Sequence, residues 1–191
     1  MIPTETQIRE MHRQAAPSRE AFDSVWTHCQ IVWGVAAQLL HAKEDQLDVD
    51  LVKAGCLLHD IGVYRLAPDD NYVRHGVLGE ELLRELGLPD VLSRFCSHHT
   101  GVGISAEDVV RQGLPLAPAD YLAETAEERL VMYADKFHSK STPPSFVTTN
   151  TFMASISRFG ADKPGRFSAL TREFGQPNLT VLVGEFGHSV R

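Results

Sequence analysis

The chain has 191 residues, a hydrophobic share of 43% and a formal net charge of −7. This length favours one domain with a sizeable core, and the negative charge disfavours a dedicated surface for nucleic acid or anionic membranes. No apolar run approaches the roughly 18–20 residues of a membrane-spanning helix, and the N-terminus lacks a secretory signal pattern. Cys29, Cys56 and Cys96 are widely spaced in apolar surroundings, which predicts reduced core cysteines in a cytoplasmic protein.

Helical periodicity dominates the first 140 residues. Apolar residues at helical spacing predict a long helix over residues 19–42, with Ser18 as its N-cap. A second helix over residues 48–61 begins at an aspartate and is expected to end at Gly62. Further helices are predicted, in chain order, over residues 73–86, 89–98, 105–112 and 124–139.

The last fifty residues are also helical in pattern. Segments 148–159, 164–174 and 177–186 are separated by glycine and proline, and residues 113–125 form a proline-bearing connection without an element of its own. No convincing strand alternation and no repeat of about 20–50 residues is visible. The sequence therefore predicts an all-α protein, with a main bundle over residues 1–140 and a helical extension over 141–191 packed on it.

Histidine and aspartate recur at the inner borders or ends of these helices. His28 adjoins the apolar face of the first long helix, and His59 and Asp60 end the second. Asp135 borders the apolar stripe of the helix over 124–139. Burying such groups costs several kcal/mol unless each is paired or bound to a metal. These four side chains are therefore candidates for one shared site.

Three more histidines lie at helix ends, where side chains can turn into a shared cleft: His75, His98 and His99. Each alone has an ordinary explanation, because a lone buried histidine is usually hydrogen-bonded and a terminal pair complements the helix dipole. No equal set of buried bases is available to pair all these groups. Their accumulation favours a metal site over a helical bundle with packed histidines only.

The order H…HD…H…HH…D, with HDIG at its centre, resembles the HD-domain superfamily of metal-dependent phosphohydrolases. The strings DLVKAGCLLHDIG, RHGVLGEELLRELGLP, HHTGVGIS and ERLVMYADKFHS are similar to small stand-alone HDIG-type hydrolases, over about residues 20–140. The resemblance implies a helical HD domain in which Asp60 bridges two metal ions, with His98 as a second choice to His99. The implied ligands are His28, His59, Asp60, His75, His99 and Asp135.

The resemblance also implies the chemistry. Metal-activated water would cleave a small phosphate ester or nucleotide, because coordination brings the pKa of water from about 15.7 toward 7. Imidazole and carboxylate ligands suit borderline transition metals, and the resemblance favours one or two ions of Fe or Mn, with Co, Ni, Zn or Mg also open. The chain has GVG where cyclic-di-GMP phosphodiesterases have GYP after the double histidine, which disfavours that substrate.

Several residues are candidates for contact with the substrate or the reacting group. The predicted catalytic residues are Asp60, Lys136 and His98, and the predicted phosphate-binding residues are Lys136, Arg65, Arg74 and His138. Lys140, at the end of the main bundle, and three basic residues of the extension could close over the site; the latter are Arg158, Lys163 and Arg166. Each has a simpler alternative, because basic side chains on helices usually solvate a face or cover apolar area with their stems.

Two other functions fit the same residues. An HD-scaffold di-iron oxygenase would use O₂ in place of water, and a non-catalytic HD module would bind a nucleotide or another protein. The expected partner is a small-molecule phosphate ester or nucleotide, with no nucleic acid and no membrane. The sequence leaves the oligomeric state open, and a homo-oligomer is compatible with it.

Overall fold

The structure is a computed structural model that describes residues 1–40 and 46–191. Within these ranges the chain is mainly helical, as predicted, and no helix has the length and hydropathy needed to cross a membrane. Ten α-helices are described: α1 (Glu5–Ala15), α2 (Arg19–Leu40), α3 (Val49–Leu58), α4 (His75–Glu85), α5 (Asp90–Ser97), α6 (Ala106–Gln112), α7 (Ala126–Asp135), α8 (Thr149–Ile156), α9 (Lys163–Phe174) and α10 (Leu179–Phe186). Short 3-10 helices cover Ile61–Arg65, Tyr72–Arg74 and Ser157–Phe159.

Helix α1 is an element that the periodicity argument did not predict. The side chain of Thr4 accepts a hydrogen bond from the backbone of Gln7, whose side chain bonds back to the amide of Thr4. This capping box satisfies two backbone donors at the helix start. The helix buries Ile8 and His12 against the main bundle. A threonine three residues before a glutamine was the available sequence signal.

The long helix α2 begins as predicted, since Ser18 caps it by accepting from the amide of Ala21 at 3.1 Å. The predicted end at residue 42 lies outside the described residues. Helix α3 ends earlier than expected, at Leu58, with His59 as its C-cap residue. The HD pair therefore lies in a turn between α3 and a 3-10 helix rather than inside the last helical turn.

Gly62 does not terminate the helix, so that part of the sequence prediction was wrong. It lies within the 3-10 helix, where an added Cβ would overlap the backbone of His75 and Gly79 in α4. Gly76 and Gly79 in turn approach Cys96 of α5 too closely for a side chain. These glycines let three segments pack backbone to backbone, which brings the HD turn close to the histidines of α4 and α5.

A small sheet forms where no strand pattern is visible in the sequence. Strands β1 (His138–Ser139) and β2 (Ser145–Phe146) pair antiparallel, and β2 pairs in parallel with β3 (Ser189–Val190). Two-residue strands are too short to show alternation. The sheet ties the end of the chain to the segment after α7.

The extension shares a core with the main bundle. Phe167 and Phe174 of α9 and Leu182 of α10 belong to the same buried cluster as Ile31 and Val35 of α2. A second cluster joins α1, α3 and α5. Cys29, Cys56 and Cys96 are buried free thiols of these clusters, as the composition predicted.

Candidate metal centre

Six polar side chains from five helices or their ends converge at the centre of the bundle. His28, His59, Asp60, His75 and His99 are buried, and the side chain of Asp135 is 16% exposed. The contributing elements are α2, the turn after α3, the first residue of α4, the turn after α5 and the last residue of α7. The sequence-predicted ligand set is therefore brought together in space.

The first donor set surrounds Nε2 of His28. This atom lies 3.2 Å from Nε2 of His59 and 3.0 Å from Oδ1 of Asp135. It lies 3.2 Å from Oδ2 of Asp60. Four donor atoms therefore lie close together in the core. Two imidazole nitrogens that face each other at this distance need either a shared proton or a cation between them.

The second donor set lies on the other oxygen of Asp60. Oδ1 of Asp60 is 3.4 Å from Nε2 of His75 and 3.6 Å from Nε2 of His99. The two imidazole nitrogens are 2.9 Å apart. Because Oδ2 faces the first set and Oδ1 faces the second, Asp60 is common to both.

This donor chemistry fits divalent transition metals. Three overlapping groups have ligand atoms within 4.8 Å of one another, namely His28 with His59 and Asp60, His59 with His99 and Asp135, and Asp60 with His75 and His99. Four imidazoles and two carboxylates suit Fe, Mn, Co, Ni or Zn better than Ca or Mg. The cluster could hold one ion or two, and its residues leave the identity of the metal open.

The surroundings favour the protonation states that bind metals. Burial alone would raise the pKa of Asp60, but Lys140, His59, His28 and His99 together hold it well below its usual range. For His75, by contrast, burial lowers the pKa to about 4. Ionised carboxylates and neutral imidazoles are the forms that bind a cation.

Each ligand imidazole is oriented by a hydrogen bond to its other nitrogen. Nδ1 of His59 donates to the carbonyl of Cys56 at 2.7 Å, and Nδ1 of His99 donates to the carbonyl of Phe95 at 3.0 Å. Nδ1 of His75 donates to the carbonyl of Tyr72. Such bonds fix the tautomer that leaves Nε2 free to bind a metal. His28 differs, because its Nδ1 lies 2.9 Å from Nδ1 of His138.

Two of the predicted substrate contacts are engaged with the ligands themselves. The ammonium of Lys136 donates to Oδ2 of Asp135 at 2.6 Å and to the carbonyl of His99 at 3.0 Å. His138 lies between His28 and His188, with its Nε2 2.9 Å from Nδ1 of His188. Burial, with these neighbouring histidines, lowers the pKa of His138 to about 2. Both side chains are placed to support ligands.

Three other predicted residues lie away from the cluster. Arg65 pairs with Glu85 across the surface, and Arg74 pairs with Asp70. Nδ1 of His98 lies 2.6 Å from the hydroxyl of Ser97, and its ring neighbours Tyr121 with centroids 6.2 Å apart. His99, rather than His98, is the member of the double histidine that faces the other ligands.

Lys140 and the three basic residues of the extension occupy different places. Lys140 contacts Oδ2 of Asp60 and lies 5.8 Å from the centre of the Tyr72 ring. Lys163 is buried and donates to the carbonyl of Gly103 at 2.9 Å as well as to Asp108. Arg166 pairs with Asp162 at 2.8 Å, and the guanidinium of Arg158 stacks on Phe159. Lys140 is therefore the basic side chain of this group that reaches the cluster.

A pocket of about 1070 Å³ opens beside the cluster. Asp135, Lys136, His138 and Lys140 line it at the cluster end. Residues of the extension line another part, including Phe152, Ile156, Arg158, Phe159 and Lys163. One of the six candidate ligands, Asp135, thus borders a cavity that can admit a small molecule, together with three basic side chains beside the cluster.

Sequence reasoning did not single out three residues that support the cluster. His188 contacts His138, Tyr72 lies under Lys140 and its carbonyl accepts from His75. His12 of α1 bonds the carbonyl of Leu57 at 2.7 Å, two residues before the HD pair. No local pattern links His12 and His188 to the ligands, since their contacts join residues 45 and 50 positions apart.

Comparison with known proteins agrees with this arrangement. The HD domain family matches residues 25–140, a span that contains all six candidate ligands. The chain belongs to the HD domain family.

Sequence relatives share the same region. An uncharacterized protein of Methanocaldococcus jannaschii is 42% identical over 116 residues, which cover 59% of this chain and 65% of that protein. A tRNA (cytidine(56)-2'-O)-methyltransferase of Picrophilus torridus is 37% identical over 122 residues, covering 64% of this chain and 33% of the methyltransferase. The chain thus spans less than two thirds of the length of either relative.

Solved structures show the same fold over nearly the whole chain. The HD domain of the L. monocytogenes phosphodiesterase PgpH covers 94% of this chain and 98% of its own, with a TM-score of 0.54 and 16% identity. Its complex with cyclic-di-AMP covers 97% of this chain and 99% of its own, with a TM-score of 0.56 and 16% identity.

Proposed function

We propose that the protein is a metal-dependent phosphohydrolase that cleaves a phosphate ester of a small molecule. The main observation behind this proposal is that two donor sets share Asp60 and lie beside the end of a large pocket. Membership of the HD domain family supports this reaction class.

The candidate ligands would hold one or two divalent ions, with His28, His59 and Asp135 on one side of Asp60 and His75 and His99 on the other. When bound, such ions acidify a coordinated water and neutralise charge on phosphate oxygens. Lys136 positions Asp135, because its ammonium engages the carboxylate oxygen that faces away from His28. Burial would lower the pKa of Lys140, but Asp60, Tyr72 and Asp135 raise it, so its ammonium is charged at the mouth of the cluster.

Lys140 is the candidate phosphate anchor. It lines the pocket and contacts Asp60, so a phosphate beside the donor sets would lie within its reach. A cationic donor at this point would hold a phosphate oxygen and orient the ester. Arg65 and Arg74 are engaged in ion pairs away from the cluster, so we do not assign them to substrate.

The pocket favours a substrate larger than inorganic phosphate. Its volume of about 1070 Å³ is at the upper end of typical small-molecule sites, which are about 300–1,000 Å³. Aromatic residues Phe152 and Phe159 line it beyond the lysines. A nucleotide has the required phosphate and planar apolar part, and a fold neighbour was solved with cyclic-di-AMP. We therefore propose a nucleotide as the substrate.

The test is a substrate screen on metal-free protein reloaded with Mn, Fe, Co, Ni or Mg in turn. The panel contains p-nitrophenyl phosphate, bis-p-nitrophenyl phosphate, mononucleotides, cyclic dinucleotides and, because relatives are named tRNA methyltransferases, a tRNA transcript. We expect metal-dependent release of phosphate or nucleotide from at least one small compound. A protein that takes up none of these metals would contradict the proposal.

The matched variants are Asp60→Asn and Asp50→Asn. Asp60→Asn keeps the shape of the side chain but removes the charge shared by both donor sets, so we expect hydrolysis to disappear. Asp50 is exposed in the first turn of α3, and Asp50→Asn should keep the activity. Hydrolysis retained by Asp60→Asn would refute its role. Equal rates under air and under nitrogen would separate hydrolysis from an oxygenase reaction.

A further inference from the structure

The end of the chain reaches the first donor set through a row of three histidines. Nδ1 of His28 lies 2.9 Å from Nδ1 of His138, and Nε2 of His138 lies 2.9 Å from Nδ1 of His188. The first bond uses Nδ1 of His28, the ring nitrogen that does not face the donor set. The HD family match ends at residue 140, so His188 belongs to the part of the chain beyond it.

The small sheet holds this row in place. His138 is in β1 and His188 directly precedes β3, with β2 between the two strands. The rings of His138 and His188 stack at 5.1 Å between centroids and 22° between planes. Phe146 of β2 packs edge-on to His138 at 5.3 Å. The geometry is therefore set by backbone pairing as well as by the two hydrogen bonds.

The direction of the hydrogen bonds follows from the ligand role of His28. A ligand nitrogen must offer a lone pair, so Nε2 of His28 is unprotonated and its Nδ1 carries the proton. Nδ1 of His138 then accepts, which places the proton of His138 on Nε2. Nδ1 of His188 accepts in turn. One tautomer is consistent at each neutral ring, and it is the tautomer that presents Nε2 of His28 to the donor set.

We infer that His188 is a positioning residue for metal binding, because through His138 it fixes the ring orientation and tautomer of His28. The inference rests on the metal site of the proposed function but not on hydrolysis. In this inference, the C-terminal segment fixes the orientation of one metal ligand, His28.

The experiment measures metal affinity by chelator competition and metal content by elemental analysis, with Mn and with Zn. The variants are His188→Leu, which removes the acceptor, and His188→Asn, whose amide oxygen can take the place of Nδ1. Removing such an outer partner typically lowers affinity about 10- to 100-fold. We expect at least a tenfold loss for one ion in His188→Leu, and affinity within about twofold of the wild type in His188→Asn.

The loss of affinity in His188→Leu should be confined to the ion held by His28, His59 and Asp135. The ion held by His75 and His99 should keep its affinity, since its ligands are oriented by local carbonyls. Glu185→Gln, an exposed position in the same segment, is the control and should bind both ions normally. Thermal unfolding of the metal-free variants checks that each is folded.

Three results would overturn the inference. Unchanged affinity in His188→Leu would show that the row of histidines does not orient the ligand. Equal losses in His188→Leu and His188→Asn would assign the effect to packing rather than to the hydrogen bond. Equal loss of both ions would indicate general destabilisation. Failure of the wild type to bind any metal would instead contradict the proposed function.

Discussion

The two donor sets differ at one histidine: His59 of the first set has a local carbonyl partner, as both histidines of the second set do, but His28 does not. His75 and His99 are oriented by carbonyls only three and four residues earlier in the chain, at Tyr72 and Phe95. His28 is oriented by His138, 110 residues away, which in turn contacts His188. Local support forms with the helix end itself, whereas remote support requires the rest of the fold. The two sets should therefore respond differently to changes outside the cluster.

The largest expected effect comes from removing one histidine from each set. His28→Ala should abolish binding of the first ion and His75→Ala that of the second, because each set then lacks a donor that the geometry cannot replace. Each variant is equilibrated with the same amount of Mn and passed through gel filtration, and its metal content then gives the number of ions retained. If both variants lost both ions, the two sets would act as one site.

A second prediction addresses the remote support from the extension. Lys163 of α9 is buried and binds Asp108 of α6 and the carbonyl of Gly103, four residues after His99. Lys163→Met leaves the buried carboxylate with Arg111, Ser105 and Gln112 as its hydrogen-bond partners. Breaking a buried pair costs about 3–5 kcal/mol, and we expect a loss near the lower bound in the free energy of unfolding, measured by urea denaturation.

The control for this measurement is Lys53→Met. Lys53 pairs with Glu5 at the surface, with 36% of its side chain exposed, and such pairs contribute less than about 1 kcal/mol. If Lys163→Met lowered the free energy of unfolding by as little as Lys53→Met does, the buried pair would not hold the extension to the loop after α5.

The contrast between local and remote support also explains what could be predicted from the sequence. The helices and the ligands lie in patterns that the chain displays locally, namely apolar spacing, helix ends and the HD pair. The sequence predicts a helix end at Gly62, but the role of this glycine depends on the backbone of α4, which packs against it. The contacts of His188 depend on a sheet of two-residue strands, for which no pattern exists.

The substrate contacts were the least predictable part for a similar reason. Arg65 and Arg74 are adjacent in sequence to predicted ligands or their turn, but their carboxylate partners turn them away. From the sequence, Lys140 is one of four basic candidates at or beyond the end of the main bundle, and its contact with Asp60 joins residues 80 positions apart. Proximity in sequence to a ligand does not decide which cation faces the pocket.

The last prediction concerns His12, which supports the HD turn from α1 and whose effect appears only as the pH falls. Its Nε2 donates to the carbonyl of Leu57, and its Nδ1 lies 3.0 Å from the hydroxyl of Tyr64. Burial lowers the pKa of His12 to about 4, from an ordinary value of 6.5. Between these values the unfolded chain binds a proton that the folded chain does not, so His12 costs stability as the pH falls from 6.5 to 4.

The variant His12→Gln isolates this contribution, because its amide nitrogen can still donate to Leu57 while the group no longer titrates. Above pH 6.5 the wild type should be the more stable protein, since the imidazole fills its site and bonds both partners. By pH 4 that advantage should shrink by about 3 kcal/mol, the free energy of a pKa shift of this size. Urea unfolding in chelator at pH 7, 5.5 and 4 measures the difference, and His75, whose pKa is also near 4, contributes equally to both proteins. If the difference in free energy of unfolding between the two proteins stayed constant with pH, the HD turn would be held without any need for a neutral His12.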